Sequence, residues 1–338
     1  MKKIILLVLV SVLFNSISYS QTAIEYLKLG IAKSKAGAFQ EALTNCSKAI
    51  ELKPIYDSAF LYRGEAKKNL KNVKGAMDDF DKAIEINPVF LAAYLKRGNL
   101  KSISGDAPGA ITDYNKVLEL NPEYFEAYNQ RGLAKSVMGD SKGAIEDFDK
   151  ALQMNPKYAD AFLNRGVETA RKGDAKSAIL DFNKSIDINP SNLEAYNFRA
   201  MVKLNSGDIK GAIVDYDMAI VLFPRLPELY VNRGKAKMKA HDNLGSKNDY
   251  DMAITINPNY AEAYSGRGFT ISATNDFEGA LPDFNKAIKL NPKFAEAYVG
   301  RGYAHIMAGD RDSGCWDFNN AKELGFPNID ILINKYCK

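Results

Sequence analysis

The sequence predicts an all-α solenoid of antiparallel helix pairs, and three observations predict it. A proline returns every 34 residues, at Pro54, Pro88, Pro122, Pro156, Pro190, Pro224, Pro258 and Pro292, in a chain of 338 residues with only 12 prolines. A fixed period of this size marks copies of one supersecondary unit. Inside each period, apolar residues recur at spacings of three and four along two stretches, which draws one apolar face on each of two helices. The two stretches are joined by a tight Gly-Asp signal, as at Gly105-Asp106, Gly139-Asp140, Gly173-Asp174, Gly207-Asp208 and Gly309-Asp310.

With each unit ending two residues after its proline, nine units follow one another: 23–56, 57–90, 91–124, 125–158, 159–192, 193–226, 227–260, 261–294 and 295–328, within a solenoid over 21–328. In the first helix, position 4 is always aromatic: Tyr26, Phe60, Tyr94, Tyr128, Phe162, Tyr196, Tyr230, Tyr264 and Tyr298. Position 8 is glycine in all units but one, as at Gly30, Gly64, Gly132 and Gly302, with Ala200 in the sixth. The glycine of the Gly-Asp turn ends the first helix in the left-handed conformation, and the aspartate after it caps the second helix. In the second helix, position 20 is mostly alanine (Ala42, Ala76, Ala110, Ala280) and position 27 is small (Ala49, Ala83, Ala151). Position 24 carries Phe80, Tyr114, Phe148, Phe182, Tyr216, Tyr250, Phe284 or Phe318, with Cys46 in the first unit. Asn-Pro closes most units, because the residue before proline is pushed out of helical geometry.

Glycine inside a helix costs about 1 kcal/mol relative to alanine. Eight copies would forfeit about 8 kcal/mol, the scale of a whole domain's stability. The pattern therefore requires that each glycine admit a large aromatic from the facing helix.

A few units break the pattern. A second proline, Pro227, follows Pro224 and suits the first position of a helix. His241 stands where the turn glycine is usual, Ser246 replaces the small alanine, and Pro282 falls inside a second helix where it would bend it. After the ninth unit, 329–338 reads as a short capping helix from Ile329 to Tyr336, covering the last apolar face.

The first twenty residues differ from everything that follows. Lys2 and Lys3 precede an apolar run from Ile4 to Phe14, and Ser18 and Ser20 stand at the −3 and −1 places before Gln21. This is the order of a cleavable secretory signal over 1–20. The run is well short of the roughly 20 residues that span a bilayer. The expectation is an exported protein, periplasmic or secreted, with no stable membrane span after signal removal. Outside that segment the two charge signs nearly balance, with 45 Lys and Arg against 41 Asp and Glu overall. No basic face for nucleic acid follows from such a balance.

The residues at positions 4, 8, 20, 24 and 27 and the recurring proline resemble the tetratricopeptide repeat, over 23–328. The resemblance implies a right-handed superhelix whose first helices line a concave groove where partners bind. This chain departs from the family pattern in two columns. Position 7, usually leucine, is Arg63, Arg97, Arg131, Arg165, Arg199, Arg233, Arg267 and Arg301; position 11, usually tyrosine, is mostly lysine, as at Lys33, Lys67 and Lys101. The family's carboxylate clamp for chaperone C-termini needs lysine at position 5, and no unit has it.

The arginine column matches an aspartate column at position 23: Asp79, Asp113, Asp147, Asp181, Asp215, Asp249, Asp283 and Asp317. Columns of opposite charge that repeat with the core pattern are expected to pair with each other rather than wait for a ligand. Cys315 and Cys337 sit in the last second helix and at the end of the cap, placed to form a disulfide in an oxidising compartment. Cys46 stands in a core column and is expected to be buried and inert. No P-loop, zinc spacing or nucleophile elbow occurs, and His241 and His305 are isolated. The chain is read as non-catalytic, with no metal and no cofactor.

Function is expected where the units differ. Positions 5, 6 and 9 of the first helices hold the candidate groove residues Tyr62, Asn99, Asn129, Gln130, Asn164, Asn197, Phe198, Asn232, Lys235, Phe269 and Tyr303. Amides would bond an extended backbone and aromatics would accept side chains. Position 2 is acidic at Glu126, Asp160, Glu194, Glu228, Glu262 and Glu296, either as a groove rim or to favour helix N-termini. The leading expectation is an exported scaffold or adaptor that binds a protein or peptide. The alternatives are a glycan-associated component of envelope or polysaccharide assembly and a self-assembling structural array, with homo-oligomerisation open.

Overall fold

A computed structural model describes residues 22–338, and the segment read as an export signal lies outside the described residues. Every described regular element is a helix. The chain forms two compact units, one ending at Glu168 and the other running Thr169–Lys338.

The first unit contains α1 (22–35), α2 (Phe39–Leu52), α3 (Asp57–Asn69), α4 (Val73–Ile86), α5 (Leu91–Ile103), α6 (Ala107–Leu120), α7 (Phe125–Val137), α8 (Ser141–Met154) and most of α9 (Ala159–Arg171). The second contains α10 (Ala175–Ile188), α11 (Leu193–Asn205), α12 (Ile209–Leu222), α13 (Pro227–Lys239), α14 (Asn243–Ile256), α15 (Ala261–Ser272), α16 (Phe277–Leu290), α17 (Ala295–Met307), α18 (Arg311–Glu323) and α19 (Asp330–Tyr336). From α1 to α8 and from α11 to α18, odd and even helices are the first and second members of successive pairs. Within the first unit α3 packs on α4, α5 on α6 and α7 on α8; in the second, α11 on α12, α13 on α14, α15 on α16 and α17 on α18. First helices also touch across repeats, α3 on α5 and α5 on α7 in one unit, α13 on α15 and α15 on α17 in the other.

The large and small columns interlock. Phe80, Tyr114 and Phe148 of the first unit are fully buried, as are Phe182, Tyr250, Phe284 and Phe318 of the second. A Cβ added at Gly132 would lie 2.7 Å from the Phe148 ring, and one at Gly302 would lie 2.9 Å from Phe318. Burying a phenylalanine stabilises by about 1.5–3 kcal/mol, more than the roughly 1 kcal/mol a helical glycine costs, so the exchange favours the glycine.

The turns inside the pairs share one geometry. The residue before each cap is left-handed, with φ of 84° at Gly105, 81° at Gly139 and 88° at Gly207. His241, Lys71 and Asn275 hold the same conformation without glycine, at φ 60°, 63° and 63°. The next side chain then accepts a hydrogen bond from the N–H three residues on: Asp106 from Gly109 and Asp140 from Gly143, both at 2.9 Å, and Asp242 from Gly245 at 2.8 Å. Each such cap satisfies one donor that the first helical turn leaves unpaired.

The irregular positions are absorbed locally. Pro227 opens α13 at a position where its missing N–H is not needed. Pro282 lies inside α16, which nonetheless runs Phe277–Leu290 as one helix with the length of its counterparts. Ser246 is buried and donates to the Gly234 carbonyl at 2.9 Å. At the C-terminus Ile329 is buried against Tyr298 and Phe318, with Leu332 and Tyr336 of α19 packed beside them. A disulfide joins Cys315 to Cys337, and Arg311 Nε donates to the Tyr336 carbonyl at 2.7 Å.

Candidate functional site

The arginine column is internal wiring. In the first unit Arg131 donates through Nε and Nη2 to both oxygens of Asp147, at 2.9 and 2.6 Å. Arg63 holds Asp79 and Arg97 holds Asp113 in the same fork. In the second unit Arg199–Asp215, Arg233–Asp249, Arg267–Asp283 and Arg301–Asp317 repeat it. The position-11 lysines Lys67, Lys101, Lys135, Lys203 and Lys237 reach the same carboxylates, as Lys135 to Asp147 at 2.8 Å and Lys237 to Asp249 at 2.9 Å, while Lys33 pairs with Glu41. In these five repeats both departures from the family pattern therefore serve one buried aspartate. Two donors around a desolvated carboxylate supply the pairing that its burial demands.

The remaining guanidinium nitrogen points backwards along the chain. Nη1 of Arg97 donates to Asp81, that of Arg131 to Asn115, and that of Arg233 to Asp217, at 2.6–2.7 Å. Each partner is position 25 of the preceding repeat, so one arginine joins two repeats. Each guanidinium also lies over the position-4 ring of its own helix, 5.3 Å from the Tyr128 centroid and 5.7 Å from that of Tyr230. Partial burial alone would lower the Arg97 pKa; hydrogen bonds to Asp113 and Asp81 more than reverse this and hold it above the ordinary guanidinium range. The position-25 column was overlooked in the sequence, although Asp81, Asn115, Asp149, Asn183, Asp217, Asp251 and Asn285 spell it out. Its signal is a polar residue two places after the buried aspartate.

Several candidate groove residues are occupied with one another. Asn164 donates to the Asn129 carbonyl oxygen at 3.0 Å, and Asn129 is buried. Asn232 donates to Asn197 at 3.1 Å in the second unit. These pairs join position 5 of one repeat to position 6 of the next. Asn99 accepts from the Tyr114 hydroxyl at 2.8 Å. Tyr62 packs half-buried beside Leu27, Cys46 and Ala59. Phe198 stacks on Phe182 with centroids 6.2 Å apart, Phe269 meets Phe284 edge-on at 5.1 Å, and Tyr303 meets Phe277 and Tyr336. Gln130 is half-buried, and Lys235 is exposed.

The second unit also contains a pocket of about 230 Å³ on its first-helix face, lined by residues of α13, α14, α15 and α17 with Phe294 of the connecting turn. Two of the candidates, Lys235 and Phe269, line it. Sequence reasoning missed the rest because Gly266 reads as a neighbour of the repeat glycine Gly268. Its signal was a glycine at position 6, where most other units carry a larger side chain. Among the described residues, no group of three or more His, Cys, Asp or Glu side chains could hold a metal ion, and no helix is long and apolar enough to cross a membrane.

Cys46 is buried, and burial pushes its thiol up to about 11, with nearby Arg63 opposing and Asp79 adding to the shift. A thiol held so far above neutral pH is a packing residue rather than a nucleophile.

A family model described as TPR repeat matches residues 103–136 and 273–309, and two described as tetratricopeptide repeat match 125–158 and 59–90. No curated protein sequence matches the chain. Among solved structures, a tetratricopeptide repeat protein from Parabacteroides merdae ATCC 43184 is 22% identical with a TM-score of 0.58, over 74% of this chain and 99% of its own. YrrB, a TPR protein with an unusual peptide-binding site, is 27% identical with a TM-score of 0.45, over 51% and 89%. The MamA protein of Desulfovibrio magneticus RS-1 is 23% identical with a TM-score of 0.47, over 51% and 97%. The Parabacteroides likeness is one of fold. Together with the helix pairs and the interlocking columns, the matched segments show that the chain carries tetratricopeptide repeats.

Proposed function

We propose that this protein is a non-catalytic, exported scaffold that binds a protein or peptide along the faces of its first helices. One observation carries the reading. The columns that pack the repeats are nearly uniform, whereas positions 5, 6 and 9 vary from repeat to repeat, and most residues of positions 6 and 9 stay partly open, as at Gln130, Asn164, Phe198, Lys235 and Phe269. Residues freed from a packing pattern and gathered on one face are where a scaffold differs from its neighbours. The right-handed superhelix that the family resemblance implies would make these faces the wall of a groove. Export is supported by the order of charge, apolar run and small residues over 1–20 and by the Cys315–Cys337 disulfide, a bond that persists in oxidising compartments.

The test uses Lys235→Glu, an exposed change that leaves the packing columns intact. Capture of partners from an envelope extract should fall with this variant while its melting temperature stays within about 1 °C of the parent, as surface changes usually allow. Capture unchanged by Lys235→Glu and by Gln130→Ala would move the binding face elsewhere. Binding to purified glycans alone would favour the glycan reading, and concentration-dependent assembly without ligand would favour the array.

A further inference from the structure

The pocket of the second unit separates charge by helix. Its floor is closed: Tyr250, Ser265 and Gly266 are buried, and the Tyr250 ring fills the place a side chain on Gly266 would take. The open walls are apolar, with Met238 from α13, Phe269 from α15 and Phe294 from the connecting turn, all half-buried. At the rim α13 supplies Lys235 and Lys239, whereas α15 supplies Glu262 and α17 supplies Glu296. Both signs line one hollow, yet none of the four has an ion-pair partner among the described residues.

Helix stability does not account for this layout. Lysine stands at both positions 9 and 13 in no other repeat, and phenylalanine stands at position 9 only at Phe269. Like charges one turn apart on a helix repel and weaken it slightly. Lys239 lies in a last turn and Glu262 and Glu296 lie in first turns, where the helix dipole favours their signs. Lys235 lies outside the last turn of α13 and gains nothing from the dipole. The first helices touch in the order α13, α15, α17, so a polypeptide laid across them meets the lysines, the apolar hollow and the glutamates in turn. In an extended chain alternate side chains share one face, about 7 Å apart. An acidic, an apolar and a basic residue at alternate positions match that order. The apolar side chain supplies most of the affinity, and the exposed charges select and orient.

We propose that this pocket anchors a large apolar side chain of an extended polypeptide whose residues two places to either side carry opposite charges. The acidic one lies at Lys235 and Lys239, the basic one at Glu262 and Glu296, and the apolar one between Met238, Phe269 and Phe294. This rests on the polypeptide reading above and specifies the sequence class that reading leaves open.

Fluorescent peptides with blocked ends test this on the full chain by anisotropy. Each places phenylalanine between two serines, with glutamate at one end and lysine at the other, in both orders. Control peptides carry two glutamates, two lysines, or alanine in place of phenylalanine. The better mixed-charge peptide should bind about threefold or more tightly than either same-charge peptide, the scale of exposed ion pairs. It should bind at least about tenfold more tightly than its alanine counterpart, because burial of the ring is lost. Replacing both lysines, Lys235→Glu with Lys239→Glu, should move the preference to the two-lysine peptide. Replacing both acids, Glu262→Lys with Glu296→Lys, should move it to the two-glutamate peptide. All four side chains lie at the rim, so both variants should keep the parent's helical circular dichroism. Absent binding, equal binding of mixed and same-charge peptides, indifference to phenylalanine, or a preference that neither charge reversal moves would overturn the proposal. A protein that prefers the mixed-charge peptide but captures no protein keeps the pocket and loses the scaffold reading. A protein that captures partners without that preference loses only the pocket.

Discussion

Replacing Arg131 with leucine, the residue the tetratricopeptide pattern usually carries at position 7, measures what the arginine column does. The substitution removes both hydrogen bonds to Asp147, which is 3% exposed, and the bond to Asn115 of the preceding repeat. Breaking a buried pair from one side costs about 3–5 kcal/mol, because the other charge is left without its partner. Lys135 stays 2.8 Å from Asp147 and offsets part of this loss. Asn115 is exposed and can turn to water, so its lost bond adds only a few tenths of a kcal/mol at about surface strength. The expected cost is therefore about 2–3 kcal/mol, just below the range for broken buried pairs with no second cation. Asp147→Ala should cost less, about 1–2 kcal/mol, since the Arg131 side chain is 19% exposed and can reach solvent. The double substitution should cost less than the sum by about 1 kcal/mol or more, the signature of groups that act as a pair. Urea unfolding followed by helical circular dichroism gives these values when fitted with a nearest-neighbour repeat model, since long stacks need not unfold in two states. A loss below about 0.5 kcal/mol for Arg131→Leu, the range of an ordinary surface change, together with lost partner capture, would refute the wiring role and turn the column into a binding ladder.

Other outcomes follow from the turns and the cysteines. His241→Gly should stabilise by about 0.5–1 kcal/mol, because a left-handed residue with a Cβ is strained by about 1–2 kcal/mol and glycine's larger unfolded-state freedom offsets part of the relief. Gly139→Ala, at φ 81°, should shift the urea midpoint the opposite way; equal signs would contradict the turn geometry. Asp140→Ala removes the acceptor for the Gly143 N–H and should cost about 1 kcal/mol, and no change in midpoint would count against the cap. With its pKa near 11, Cys46 remains a thiol at pH 8, with roughly one part in a thousand ionised, so iodoacetamide should label it only as pH rises towards 11 or on unfolding. Denatured but unreduced protein should show one reactive thiol; three would rule out the Cys315–Cys337 bond.

Much of the fold was legible because it is written nine times. A helix interior glycine is ambiguous once, but Gly64, Gly98 and Gly132 at one spacing from Phe80, Tyr114 and Phe148 state a packing rule. The pairing of Arg131 with Asp147 was legible for the same reason, since both recur with the period. The candidate site was legible only in part. Position along a helix marks Asn129 and Asn164 as first-helix residues, but that these two amides bond each other depends on which repeats become neighbours and how closely. Phe198 and Phe269 show as aromatics off the core columns, yet their rings lean back onto Phe182 and Phe284.

The sequence by itself determined the unit, its register and the class of every packing column, because local periodicity and turn chemistry act over distances shorter than one repeat. Tertiary structure alone decided what the third guanidinium nitrogen does, bonding a residue 16 positions earlier in the preceding repeat. It also decided that the Tyr250 ring fills the place a side chain on Gly266 would take, its hydroxyl buried with no partner. Both are relations between repeats, where a missing side chain in one helix and an unmet hydrogen bond in another acquire meaning only once the helices pack.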